Sequence, residues 1–169
     1  MWWFLPWIGW LPLFSRDDAI LPLTPAHARA LARLHREDFL RPWTDGEFAE
    51  LLKQKGVFAF GAFREGAGDT NPDGFVLARL AAGEAEILTV AVARAHRRRG
   101  LGRKLMDAVL RHLHAERAES LFLEVDETNE PAIALYRRLG FRKVGQRKAY
   151  YDAAAGGKNA ALIMRMDLK

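Results

Sequence analysis

The stretch "RRRGLGRKL", Arg97 to Leu105, is the densest run of positive charge in the chain. Arg97, Gly100 and Gly102 fall in an R-x-x-G-x-G spacing, with Leu101 between the glycines. Glycines at those positions let backbone approach a ligand with no Cβ in the way. A helix opening there would aim free N–H groups and the positive end of its dipole outward. That combination binds a phosphate or pyrophosphate, and Arg98, Arg99 and Arg103 add charge beside it. The spacing lacks the Gly-Lys-Ser/Thr ending of a nucleoside-triphosphate loop and the third glycine of a dinucleotide fingerprint. Taken alone, it also fits a turn followed by a solvated basic helix end. A nucleic-acid patch is a further reading, but the glycines interrupt the arginines and no RNA-stacking signature occurs.

Composition narrows the chemistry. The chain has 169 residues, enough for one domain with a sizeable core, and a formal net charge of +5, which favours anionic partners. It has no cysteine, which excludes disulfides, thiolate zinc sites and an acyl-cysteine intermediate. His112, His114 and Glu116 sit close in sequence, but the two histidines fall on different sides of a helix, so no metal site is expected. His96 reads as a solvated neighbour of the basic loop.

These residues need elements to hold them. "AILPLT" reads as a strand, followed by a helix capped by Thr24, opened by Pro25 and running to about Phe39. Thr44 and Glu47 have capping-box spacing for a second helix with Phe48, Leu51 and Leu52 on its apolar face. "VFAFGAF" and "FVLARLA" form a hairpin around a polar turn. A β-rich run, Glu86 to Ala93, enters the basic loop, and a helix follows from about Leu101 to Arg117. "SLFLEV" is a strand ending in the segment that holds Glu124. A helix with Pro131 at its start and Gly140 as C-cap follows, then two strands, "FRKVGQRKAYY" and "ALIMRMDL". The strand–helix–strand centre requires a parallel pair and the hairpins make the sheet mixed, an α/β (α+β) fold.

Two segments, "VAVARAHRRRGLGRKLM" and "NEPAIALYRRLGF", in this context closely resemble the GNAT superfamily of N-acetyltransferases, over about Ala19 to Leu168. The resemblance implies a mostly antiparallel central sheet with a splayed parallel strand pair, flanked by about four helices. It implies acetyl-CoA as cosubstrate, its pyrophosphate held by Arg97, Arg98, Arg99, Gly100, Leu101, Gly102 and Arg103. It places Val90, Ala91 and Val92 along the pantetheine arm and gives Asn129 a part in cofactor binding. Within the superfamily the likeness is to RimI-type enzymes, which acetylate the N-terminal amine of a ribosomal protein. It rests on "RPWTDGEF", on Glu124 twelve residues before Tyr136, on "RKAYY" and on "NAALIMRMDL". Ala93-Arg94 departs from the frequent Asp-Pro, and Arg97 from a frequent Gln.

The resemblance and the chemistry agree. An N-terminal amine has a pKa near 8, against about 10.4 for lysine, so it needs modest help to become neutral. Glu124 is expected to take its proton, directly or through water, and Tyr136 to donate to the departing sulfur. Backbone N–H groups near Val92 polarise the carbonyl. Without cysteine, direct attack in a ternary complex is the expected mechanism. Tyr150 and Tyr151 are expected to wall the peptide groove, or else to be cross-strand aromatics. Trp43 is a substrate-binding candidate whose alternative is packing at the start of the second helix. The rival activities are acetylation of a lysine side chain or small amine on the same fold, and a basic nucleic-acid- or ribosome-binding protein.

Residues 1–18 read as an extension to a single acetyltransferase domain spanning 19–169. Four of the five tryptophans lie within Met1 to Trp10. Pro6 and Pro12 and its shortness argue against a spanning helix. The extension is expected to dock on its own domain or a partner subunit, or to touch a membrane peripherally. The expected partner is a protein N-terminus, with no specific nucleic acid. The expected state is a monomer or weak homodimer in the cytoplasm.

Overall fold

The computed structural model describes residues 18–66, 68–148 and 160–169. They form strands β1 (Asp18–Pro22), β2 (Val57–Arg64), β3 (Gly74–Ala81), β4 (Glu84–Val92), β5 (Ser120–Asp126), β6 (Arg142–Arg147) and β7 (Ala161–Asp167). The helices are α1 (Ala28–His35), α2 (Asp45–Lys53), α3 (Leu101–Ala115) and α4 (Glu130–Leu139). One sheet holds all seven strands in the order β1-β2-β3-β4-β5-β7-β6. Every neighbouring pair is antiparallel except β4 and β5. Among the described residues, no helix is long and apolar enough to cross a membrane.

Alternation along the strands separates two cores. Val76, Ala78, Leu121, Leu123 and Val125 pack with Leu105, Met106 and Val109 of α3 and Ile133 and Tyr136 of α4. On the opposite face, Ala59, Phe75 and Leu77 pack with Leu31 and Leu34 of α1 and Phe48 of α2. The α2 start follows its residue types: the Glu47 N–H donates to Thr44 Oγ1 (3.2 Å) and the Thr44 N–H to Glu47 Oε2 (2.7 Å).

Two details of β4 set up the site. Its parallel ladder with β5 runs only from Glu84↔Ser120 to Glu86↔Phe122, although β4 continues to Val92 and β5 to Asp126. The strands therefore fork. Opposite β3, Leu77 pairs with Thr89 and Ala78 with Ile87, so Leu88 is an extra residue, a β-bulge. The bulge shifts the alternation by one. Ala85 and Ile87 face the α3–α4 core before it, and Val90 and Val92 after it.

The structure corrects three boundaries. The first helix is not continuous from Thr24 to Phe39: Pro25–His27 form a 3-10 turn and the α-helix ends at His35. His27 is pinned there, its Nδ1 accepting from the Thr24 N–H (3.0 Å) and its Nε2 lying 2.9 Å from the Asp69 carbonyl oxygen. The helix after the basic loop ends at Ala115, short of Arg117, which has φ 55° and cannot continue it. The strand expected over "FRKVGQRKAYY" ends at Arg147, before Lys148, and the last three residues of that segment lie outside the described residues.

Candidate active site

A 3-10 turn, Arg94–His96, follows β4 and leads into Gly100, the N-cap of α3. Gly100 has φ 80° and ψ 6°, and a Cβ there would meet nothing within 4 Å, so the backbone angle, not crowding, calls for glycine. At Gly102 the reason differs: a Cβ would sit 3.4 Å from Leu135 Cδ2 of α4. Among the described residues, no side chain caps α3. Its first-turn N–H groups are thus free to meet an anion.

The arginines divide by role. Arg97 turns back on the protein: its Nε donates to the Val92 carbonyl (3.1 Å) and its guanidinium pairs with Asp38. Arg94 joins the same anchor, its N–H donating to Glu37 Oε2 (2.9 Å) and its Nε lying 3.4 Å from Asp38 Oδ1. Arg103 leans on Asp107 one turn along α3 (3.4 Å). Arg98 and Arg99 are exposed, and Arg98 holds φ 63°. His96 is not a simply solvated neighbour, as its sequence position led one to expect. Its side chain is 19% exposed, with Nε2 3.4 Å from Asp73 Oδ1, and Arg64 binds the same carboxylate (3.2 Å).

Glu124 and Tyr136 flank the fork from opposite faces of the sheet. Tyr136 belongs to the α3–α4 core, 8% exposed, its ring edge-on to Phe141 at 5.7 Å. Burial pushes its phenol up to about 12, so it keeps its proton as a donor. On β5, Leu121, Leu123 and Val125 face that same core, which turns Phe122, Glu124 and Asp126 to the other face. Glu124 is ion-paired there with Arg147 of β6. Asn129 is the N-cap of α4, its Oδ1 accepting from the Ala132 N–H (3.3 Å), which leaves its amide NH2 to donate elsewhere.

Val90 and Val92 line the α3–α4 side of the fork and Ala91 the α1–α2 side. Trp43 packs on the second core, stacked against His35 (5.1 Å) and edge-on to Phe48 (5.4 Å), while its backbone N–H donates to His35 Nδ1 (3.1 Å). Burial lowers the pKa of His35, partly opposed by Asp38 and Glu47. Tyr150 and Tyr151 lie outside the described residues. Sequence reasoning missed the Leu88 bulge, the Asp38 anchor and the Arg147 partner of Glu124.

A mixed sheet whose parallel pair forks beside an uncapped helix start is an arrangement suited to an extended ligand that carries an anionic group. The acetyltransferase (GNAT) family model matches residues 28–141, and the chain belongs to that family. It is 34% identical over 148 residues to the N-alpha-acetyltransferase RimI of Mycobacterium tuberculosis, covering 86% of this chain and 89% of that protein. It is 36% identical over 89 residues to the [ribosomal protein bS18]-alanine N-acetyltransferase of Salmonella typhimurium. That match covers 53% of this chain and spans 60% of the Salmonella protein's length. The crystal structure of the ribosomal-protein-S18-alanine N-acetyltransferase from Escherichia coli superposes with a TM-score of 0.80 at 27% identity, covering 90% of this chain and 95% of that one.

Proposed function

We propose that this protein transfers an acetyl group from acetyl-CoA to the N-terminal α-amine of a protein, of the ribosomal-protein-alanine type, by direct attack in a ternary complex. What supports it most is the fork itself. An uncapped α3 start lies beside it, and a carboxylate and a protonated phenol stand on its opposite faces. Acetyl-CoA, when bound, supplies the thioester carbon that the amine attacks. The backbone of Gly100 to Arg103, with Arg98 and Arg99, would receive the pyrophosphate, while Arg97 fixes the loop through Asp38. Val90, Ala91 and Val92 would lie along the pantetheine arm, and the Asn129 amide would donate to it. Glu124 would take the amine proton as the N–C bond forms, and Tyr136 would give its proton to sulfur as the C–S bond breaks.

The names of the Mycobacterium and Salmonella relatives favour an α-amine over a lysine side chain. Residues 19–169 would act as one acetyltransferase domain in the cytoplasm, as a monomer or weak homodimer. Mass spectrometry after incubation with acetyl-CoA decides the substrate class, using peptides with N-terminal alanine, blocked N-termini and internal lysines. Acetylation of the free N-terminus alone is expected. Acetylation persisting on blocked peptides would replace the α-amine with a lysine or small-amine substrate.

A further inference from the structure

Among the described residues, two buried side-chain polar atoms have no hydrogen-bond partner, Thr89 Oγ1 and Arg165 Nε. The guanidinium of Arg165 is engaged elsewhere, through Asp167 at 2.9 Å. Thr89 has no such explanation. It is 6% exposed, and a buried hydroxyl left without a partner costs stability, so its presence calls for an explanation.

Its place in the fold indicates the use. Thr89 follows the Leu88 bulge directly and pairs across the ladder with Leu77, which packs in the α1–α2 core. Residues directly opposite in an antiparallel pair share a face. Thr89 therefore lies on the α1–α2 face of β4, the face to which β5 turns Glu124. The last paired rung of the parallel ladder is Glu86↔Phe122. Glu124 lies two residues beyond it on one branch and Thr89 three beyond it on the other, ~7 and ~10 Å at strand rise. Had β4 kept its regular alternation through Leu88, Thr89 would share the face of Ile87, the α3–α4 side.

We infer that Thr89 Oγ1 binds the acceptor amine, taking a hydrogen bond from one N–H while Glu124 takes the proton from the other side. The inference rests on the acetyl-transfer reading of the site. Two contacts from opposite branches of the fork fix the nitrogen, so its lone pair is directed at the thioester carbon between them. The bulge is then what brings a hydroxyl into the substrate's path.

Thr89→Val keeps shape and removes the hydroxyl. Its kcat/KM for the acceptor is expected to fall roughly tenfold to a hundredfold, the effect of losing one hydrogen bond to a charged or reacting group. Acetyl-CoA affinity is expected to stay within about twofold and the melting temperature to hold or rise, because an unpartnered polar group is gone. Thr89→Ser restores the hydroxyl and most of the rate, and Thr89→Ala, read the same way, separates lost packing from lost hydrogen bonding. A Thr89→Val enzyme with wild-type kcat/KM overturns the inference and leaves the hydroxyl a structural curiosity of the strand. If the wild type prefers lysine or a small amine, the N-terminal assignment falls, and the Thr89 ratio is read on that amine. A wild type that acetylates no amine overturns both.

Discussion

Tyr136 and Glu124 are twelve residues apart in sequence and on opposite faces of the sheet. The phenol, pushed up to about 12 by burial, stays protonated across any working pH. Tyr136→Phe is expected to lower kcat about a hundredfold or more, while acetyl-CoA binding by calorimetry is retained. Unchanged turnover would remove its role as acid. The same burial has a stability consequence. An unfolded phenol ionises near 10.0 and the folded one near 12, so this contribution is intact below pH 10 and fades as pH rises toward 12. Gly100→Ala is a test of a different kind. Its surroundings are open and only its φ of 80° resists a side chain. A loss of about 1 kcal/mol in urea unfolding is expected, with weakened acetyl-CoA binding as the loop shifts.

At the scale of elements, the anion loop could be read from sequence because its glycines and arginines are local. The same is true of the α2 capping box. The anchor of Arg97 could not, since its partner Asp38 lies 59 residues upstream and meets it only once α1 is folded. Nor could the Leu88 bulge. "ILTVAV" is apolar or small on both faces, so it has no alternation for an extra residue to break. The turn from α1 toward α2 is held by buried His35, stacked on Phe39 at 3.8 Å. Burial keeps this ring neutral in the fold below its ordinary value of 6.5. The unfolded ring protonates first as pH drops, so stability is expected to fall progressively below about pH 6.5. Urea titrations from pH 7.5 to 5 check this, and the slope should flatten in His35→Gln.

At the scale of the whole molecule, the strands of the described residues begin at Asp18, and the Asp18 carboxylate is bound by Lys104 of α3 at 3.3 Å. A chain starting at Arg16 is therefore expected to melt within a few degrees of the full protein and to bind acetyl-CoA equally well. Sedimentation of both with anionic vesicles then isolates what the tryptophans add. Loss of the fold on truncation would place the extension inside the domain. The order of the seven strands was foreseen only in part. Local pattern predicts the hairpins and the parallel centre, but not that β7 would insert between β5 and β6.

A sheet that forks has, in effect, two edges in its interior. Edge strands attract foreign strands and seed aggregation, and most proteins cover or charge them. On the proposed acetyl-transfer reading, these edges would border the reaction and so could not be covered permanently. Whatever occupies the fork also shields them, so a bound carrier would act as a folding partner as well as a reactant. The resistance of this protein to aggregation would then follow the supply of its acyl donor.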